Sequence, residues 1–111
     1  MEILYKKENY ILAKKVFIDP GHGGNDSGAV GINNLLEKDI TLSVAKKVYD
    51  FLKKQGLEIK LSRTDDKTLS LKDRTSAANS WKADCFISIH CNAAGADGKW
   101  HTASGWSVFI S

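Results

Sequence analysis

Residues 16–22 read Val16-Phe17-Ile18-Asp19-Pro20-Gly21-His22, an apolar run that ends in a turn. A short apolar run that stops at Pro-Gly is typical of a buried strand leading into a loop. Two more strands are predicted downstream. Residues 57–61 alternate between apolar and polar side chains, and residues 85–90 are apolar enough to be covered on both faces. The chain therefore starts a sheet near its N-terminus and returns to it twice.

Two helices are predicted between these strands. Residues 40–52 carry apolar side chains at helical spacing, and Gly56 fits the C-terminal cap of that helix. The second helix starts near Ser70, whose spacing to Asp73 matches a capping box, and it runs to about residue 81. Strands that alternate with helices form a parallel sheet joined by right-handed crossovers. We therefore predict an α/β fold with three layers (αβα) and a mostly parallel, twisted sheet.

The end of the chain predicts an incomplete sheet. Residues 106–110 have the pattern of a fourth strand, which we expect to be antiparallel, and the chain stops at Ser111 without a helix to cover it. A bare strand of this kind favours aggregation and permits self-association. We therefore expect residues 16–111 to be the front part of a larger domain, truncated at its C-terminus. Residues 1–15 are expected to form an N-terminal arm or a short strand.

Composition narrows the classes of function. The chain has 111 residues, 42% hydrophobic and 26% charged, which is typical of one soluble globular domain. A net charge of +3 with dispersed lysines argues against nucleic acid as a partner. No apolar run is long enough for membrane insertion. No signal peptide is visible at the N-terminus, so we expect that any export of the protein uses another route or that a leader has been removed.

The two cysteines are expected to be free thiols. Cys85 and Cys91 are roughly 20 Å apart on an extended strand, which is too far for a disulfide between them.

Three residues that can bind zinc are predicted to meet at one edge of the sheet. His22 follows the first strand, His90 ends the third, and Glu37 starts the helix that leaves the first strand. The carboxyl ends of parallel strands share one edge, and α/β sheets bind their ligands there. Two imidazoles and a carboxylate are a catalytic zinc set that leaves the fourth position open for water. The sequence therefore predicts a zinc site.

Each of these residues also has a simpler interpretation. His22 fits an ordinary loop residue, and Glu37 fits a favourable charge at a helix N-terminus. His90 ends an apolar strand and needs a polar partner in either case. If the histidines bind a metal, their other ring N–H groups need acceptors, and Asp19 and Ser88 are candidates by position.

Five motifs extend the pattern along the chain. In order, they are residues 19–29 (Asp-Pro-Gly-His-Gly-Gly-Asn-Asp-Ser-Gly-Ala), Glu37-Lys38-Asp39 with the helix after it, Arg63-Thr64-Asp65, Arg74 with Ala78-Asn79, and Ser88-Ile89-His90-Cys91-Asn92-Ala93. Together they resemble the motifs of the zinc-dependent N-acetylmuramoyl-L-alanine amidases of the type 3 family. The resemblance covers residues 16–110, nearly the whole chain.

The resemblance implies a peptidoglycan hydrolase that acts at the cell envelope or outside the cell. It implies zinc-dependent hydrolysis of the amide bond between N-acetylmuramic acid and L-alanine. His22, Glu37 and His90 would be the zinc ligands, and Glu37 would be the catalytic residue that this chain itself contains. The second catalytic glutamate of the family has no counterpart before Ser111. We therefore expect this chain to be weakly active or inactive.

Two residues near the predicted site are candidates for substrate binding. Arg63 follows the second strand and could hold a stem-peptide carboxylate by a bidentate contact. The alternative for Arg63 is an ion pair within the protein, with Asp26, Asp65 or Asp66. Asn92, just past the third strand, is expected to bind substrate or to orient the site.

Two other classes of function fit part of the pattern. A non-catalytic, zinc-containing fragment would bind peptidoglycan without cutting it. A zinc carboxypeptidase would use the same metal chemistry on stem peptides. The glycine-rich residues 21–31 lack the Gly-Lys-Ser/Thr ending of a phosphate-binding P-loop, so a nucleotide site is not expected.

Overall fold

The fold alternates strands and helices. A computed structural model describes residues 14–91 and 106–108 of the chain. The elements are, in chain order, β1 (Lys15–Pro20), a 3-10 turn (Ile32–Asn34), α1 (Glu37–Lys53), β2 (Glu58–Leu61), α2 (Leu71–Ser80) and β3 (Cys85–Ile89). The strands and both α-helices lie where the sequence predicts them.

The described residues form a three-stranded parallel sheet in the order β2-β1-β3. Parallel neighbours need long crossover connections, and the two helices provide them. The predicted α/β fold with a mainly parallel sheet is confirmed. All three strands end at the same edge of the sheet, so the residues that follow Pro20, Leu61 and Ile89 are neighbours.

A helix lies on each face of this sheet. The main apolar core on one face contains Val16 and Ile18 of β1 with Ala45 and Leu52 of α1. On the other face Phe17 is fully buried, stacks on Phe86 with 5.7 Å between ring centroids, and approaches Trp81 at the end of α2. Burying a large apolar side chain contributes roughly 1.5–3 kcal/mol. Alternate side chains of β1 thus pack on opposite faces of the sheet, one face against α1 and the other on the side of α2, which gives the predicted αβα arrangement.

The helix ends follow from local sequence. In α2, Ser70 Oγ accepts the N–H of Asp73 at 3.0 Å, and the Asp73 carboxylate accepts the N–H of Ser70 at 2.9 Å. This reciprocal pair is the predicted capping box. Gly56 has a φ of 81° and turns the chain after α1, as predicted.

The predictions for the chain ends fall mostly outside the described residues. This applies to residues 1–13 and 109–111, and residues 106–108 carry no strand assignment. The fourth strand and self-association through it therefore stay predictions. Cys85 and Cys91 are free thiols, as expected. Within the described ranges, no helix has the length and apolar character that crossing a membrane requires.

Candidate metal centre

His22, Glu37 and His90 meet at the carboxyl edge of the sheet. His22 lies in the loop after β1, Glu37 is the first residue of α1, and His90 follows β3 directly. Nε2 of His22 lies 3.0 Å from Oε2 of Glu37 and 3.2 Å from Nδ1 of His90. Nδ1 of His90 lies 3.5 Å from the same Glu37 oxygen. The structure therefore brings together the three residues that the sequence singled out.

The three facing atoms fit a tetrahedral metal ion. Ligand atoms at about 2.0–2.1 Å from a tetrahedral zinc ion lie about 3.3 Å from one another. The observed separations of 3.0, 3.2 and 3.5 Å bracket that value. A carboxylate oxygen and an imidazole lone pair are both acceptors, so they repel at this distance unless a proton or a cation lies between them. Two nitrogens and one oxygen are also donors that zinc accepts.

Backbone N–H groups fix the Glu37 carboxylate. This residue is only 5% exposed, and its two oxygens accept hydrogen bonds from the N–H of Ala29 at 3.0 Å and of Cys91 at 2.8 Å. Burial by itself raises the pKa of Glu37, but these two bonds and the neighbouring imidazoles more than offset it, so the pKa lies below its ordinary value. Glu37 is therefore ionised and oriented, as a metal ligand must be.

The loop after β1 is tied to the first turn of α1. The N–H of Glu37 donates to the Ala29 carbonyl at 2.9 Å, and the N–H of Lys38 donates to the Ser27 carbonyl at 3.0 Å. N–H groups in the first turn of a helix have no partner inside the helix, and α1 has no side-chain cap. Loop carbonyls take the place of a cap and fix the loop relative to Glu37.

Asp26 sets the tautomer of His22. Oδ2 of Asp26 lies 2.9 Å from Nδ1 of His22. The bond to His22 and a bond from the N–H of Gly28 lower the pKa of Asp26, so this carboxylate accepts and Nδ1 carries the proton. Nε2 then keeps its lone pair for the centre of the trio. The sequence analysis did not propose Asp26 for this role, although the residue lies within the first motif.

Two glycines leave room for the imidazole rings. A Cβ atom on Gly21 would overlap Cε1 of His90. A Cβ atom on Gly28, whose φ is +67°, would lie 2.7 Å from Cδ2 of His22 and 2.8 Å from Cβ of Glu37. Any larger residue at either position would push a histidine away from the trio.

Arg63 is buried beneath the loop and is not open to substrate. It is 3% exposed, and its Nε donates to the His22 carbonyl at 2.8 Å. Its Nη1 donates to the Asp65 carbonyl at 3.0 Å and its Nη2 to the Gly21 carbonyl at 3.0 Å. These contacts correct the prediction of a substrate-binding Arg63, because all three nitrogens already donate within the protein. Asn92, the other predicted substrate-binding residue, lies outside the described residues.

Asp19 and Ser88 bond to a second network and do not support the imidazoles. The Asp19 carboxylate accepts from Ser62 Oγ at 2.6 Å, from Arg74 Nη1 at 2.8 Å and from Ser88 Oγ at 2.8 Å. Asp19 and Arg74 are both buried, so they form an ion pair inside the protein. This pair links β1 to α2 beneath the loop.

A cavity of about 270 Å³ opens beside the two histidines. Its wall includes His22, Asp26 and His90, and on the side of α2 it includes Leu69 and Leu71. A space of this size, next to a candidate metal centre, can admit one group of a substrate.

Comparison with known sequences identifies one family of proteins. A family model described as N-acetylmuramoyl-L-alanine amidase matches residues 16–111. The sporulation-specific N-acetylmuramoyl-L-alanine amidase of Bacillus subtilis (strain 168) is 52% identical over 86 residues, which cover 76% of this chain and 33% of that protein. N-acetylmuramoyl-L-alanine amidase CwlM of Bacillus licheniformis is 54% identical over 86 residues, which cover 76% of this chain and 34% of that protein. The chain thus spans about a third of the length of these relatives.

Solved structures show the same fold. An N-acetylmuramoyl-L-alanine amidase from Clostridium difficile 630 aligns with a TM-score of 0.75 and 48% identity, covering 84% of this chain and 50% of that one. The catalytic domain of CwlV, an N-acetylmuramoyl-L-alanine amidase from Bacillus (Paenibacillus) polymyxa var. colistinus, aligns with a TM-score of 0.72 and 46% identity. That alignment covers 78% of this chain and 49% of the solved domain.

Proposed function

The chain belongs to the N-acetylmuramoyl-L-alanine amidase family, and we propose that it supplies the metal-binding part of a zinc-dependent peptidoglycan amidase. The bond cut is the amide between N-acetylmuramic acid and the L-alanine of the stem peptide. His22, Glu37 and His90 are the zinc ligands in this proposal. Peptidoglycan is the partner, and the place of action is the cell envelope or the space outside the cell.

The spacing of three ligand-type atoms carries the proposal. Nε2 of His22, Nδ1 of His90 and Oε2 of Glu37 lie 3.0 to 3.5 Å apart, close to the edge lengths of a zinc coordination tetrahedron. Zinc at such a centre supplies Lewis acidity to a substrate carbonyl and lowers the pKa of a water molecule. Both effects are useful for hydrolysing an unreactive amide.

The residues of the chain orient the donor atoms and leave one side open. Asp26 holds the proton on Nδ1 of His22, and two backbone N–H groups hold the Glu37 carboxylate. The side chain of Glu37 is 5% exposed, whereas that of His90 is 43% exposed. We infer that substrate approaches from the side of His90, which lines the cavity.

We also propose that the isolated chain hydrolyses its substrate slowly. Among the described residues, the carboxylates at the trio and its cavity are Glu37, Asp26 and Asp19, and both oxygens of each already accept hydrogen bonds. None of them is free to pass a proton to the leaving amine. General acid–base catalysis typically contributes about 10²–10⁴-fold to a rate, so a full rate needs a further group from outside this set.

Zinc content tests the metal site. The purified chain should bind about one zinc ion per molecule, as a centre with three protein ligands does. His22→Ala and His90→Ala should lose most of that zinc. His101→Ala is the matched control, because His101 is the remaining histidine of the chain and is not part of the trio. Undiminished zinc in both site variants would refute the site.

Product analysis separates the candidate reactions. After long incubation with a defined muropeptide, the zinc-loaded chain should release a stem peptide with a free L-alanine amine. Release of a terminal amino acid would instead identify a zinc carboxypeptidase. Binding of the muropeptide without any product would identify a non-catalytic peptidoglycan-binding role. Rapid lysis of purified cell walls would contradict the proposed slow rate.

A further inference from the structure

Arg63 and Arg74 are the only two arginines among the 16 Lys and Arg residues of the chain. Both are buried, at 3% and 4% exposure, and they come from different elements, since Arg63 follows β2 and Arg74 lies in α2. A guanidinium group donates several hydrogen bonds in a fixed plane, whereas an ammonium group is a compact point charge. Arginine thus occurs in this sequence only at two positions where one side chain bonds several oxygen acceptors.

The two guanidinium groups converge on the loop that carries His22. The His22 carbonyl accepts from Arg63 Nε at 2.8 Å and from Arg74 Nη2 at 2.8 Å. The Pro20 carbonyl also accepts from both arginines, at 3.3 and 2.8 Å. The Gly21 carbonyl accepts from Arg63 Nη2 at 3.0 Å. Two side chains therefore hold three successive carbonyl groups, and we call them the arginine clamp.

The backbone conformation of His22 has to be stabilised by its surroundings. Its φ is 63°, in the left-handed region that a residue with a Cβ atom rarely adopts. Conformations of this kind persist only when the surroundings over-determine them, and they cluster at functional sites. Charge-assisted hydrogen bonds are stronger than neutral ones, so two of them on one carbonyl provide that hold.

The arrangement is electrostatically costly. Both guanidinium groups donate to the carbonyl oxygens of Pro20 and His22, so two like charges are kept close together inside the protein. Asp19 neutralises Arg74 at 2.8 Å, but Arg63 has no ion-pair partner among residues 14–91 and 106–108. An arginine serving only as half of a structural ion pair would have a carboxylate beside it. The acceptors of Arg63 are instead carbonyl and hydroxyl oxygens of the loop and its supports.

We propose that Arg63 and Arg74 are positioning residues that hold the backbone of His22 in the conformation required for metal binding. This inference rests on the metal site proposed above. A loosened clamp lets His22 relax out of the left-handed region and carries its Nε2 away from Glu37. Coupling of this kind is reciprocal, so an ion bound by His22 should also tighten the clamp.

Conservative variants test the clamp. Arg63→Lys and Arg74→Lys keep the positive charge but replace a planar fork of five N–H donors with three donors on a single nitrogen, which cannot reach the same set of acceptors. Each should weaken zinc binding by roughly 10–100-fold, the usual effect of losing a partner behind a metal ligand. Affinity is measured by competition with a chromophoric chelator, at a temperature where unfolding curves show that every variant is folded. Val16→Ala, a core variant at the other end of β1, is the control for lost stability and should keep the zinc affinity within about 3-fold.

The unmodified chain provides a second test that does not depend on the variants folding. Hydrogen exchange of the Arg63 Nε–H, followed by NMR, should become slower when zinc is added. Zinc binding with unchanged exchange, together with full affinity in both lysine variants, would overturn the clamp and leave the metal site standing. A wild-type chain that binds no zinc would overturn the metal site and this inference with it.

Discussion

Oδ2 of Asp26 accepts a hydrogen bond from Nδ1 of His22, with 2.9 Å between the two atoms, across a single turn of the same loop. The imidazole is therefore fixed on one side by a carboxylate, while its other nitrogen faces Glu37 and His90. This contact gives the ring both an orientation and a tautomer, which a metal ligand needs before the ion arrives.

Replacing Asp26 should release the His22 ring. We expect Asp26→Ala to weaken zinc binding by roughly 10–100-fold, because the ring then samples both tautomers and other rotamers. Nitrogen-15 NMR of the zinc-free chain should show a mixture of His22 tautomers in the variant and a single one in the wild type. Asn25→Ala is the matched control, since Asn25 contacts the neighbouring loop through its backbone N–H. A variant with unchanged tautomer and affinity would show that Asp26 does not act on the ring.

Removing the charge of Glu37 should have a larger effect. In Glu37→Gln, one of the two backbone donors, from Ala29 or Cys91, would face an NH2 group in place of an oxygen. Losing a residue that only supports a metal ligand weakens metal binding by at most roughly 100-fold. Because Glu37 would itself be a ligand, we expect the zinc affinity of Glu37→Gln to fall by more than that. Isothermal titration with zinc measures this. Glu58→Gln, at an exposed position of β2, is the control. A Glu37→Gln affinity near that of the wild type would exclude Glu37 as a ligand.

Alanine variants of two glycines with positive φ, Gly56 and Gly28, distinguish the cost of backbone strain from the cost of crowding at the site. Gly56 has a φ of 81° and nothing within 4 Å of an added Cβ, so Gly56→Ala should cost only the strain, roughly 1–2 kcal/mol. At Gly28 the added Cβ would also meet His22 and Glu37 at 2.7 and 2.8 Å. Urea unfolding of Gly28→Ala should therefore show a further loss of roughly 1–3 kcal/mol. Zinc binding should fall in Gly28→Ala only, and equal behaviour of the two variants would contradict crowding at Gly28.

The capping box of α2 should make the stability of the fold depend on pH in the acid range. Hydrogen bonds from the backbone and the side chain of Ser70 lower the pKa of Asp73 below its ordinary value of 3.8. A carboxylate whose folded pKa is lowered stabilises the fold fully above its unfolded pKa, and the contribution is lost as pH falls through the folded pKa. The urea midpoint of the zinc-free wild type should therefore drop more steeply below about pH 4 than that of Asp73→Asn. Asp50→Asn, an exposed carboxylate of α1, should follow the wild type, and parallel curves for all three would contradict the prediction.

The strands and helices were predictable because their signals are local. The apolar run that begins at Val16, the helical spacing before Gly56 and the Ser70 capping box each lie within a few residues of one another. Parallel pairing then follows from the alternation of strands and helices, and it places His22 and His90 at one edge. The three ligand-type residues of the candidate metal centre could therefore be named from the sequence.

The contacts around that set were not predictable in the same way. Arg63 was expected at the substrate side, and the structure places it beneath the loop, because the loop folds back over the end of β2 and offers its carbonyl groups there. Asp26 was not assigned to His22, because a left-handed residue at His22 is needed to bring the two side chains together. Neither the loop path nor that φ angle has a signature in residue type alone.

The sequence by itself determined the order of elements, the parallel sheet and the identity of the three ligand-type residues, since periodicity and strand-end position are properties of short segments. Only the tertiary structure decided the separations of 3.0 to 3.5 Å, the tautomer of His22 and the use of both arginines beneath it. These depend on backbone groups far apart in the chain, whose hydrogen bonds form only when the loop, β2 and α2 are packed together.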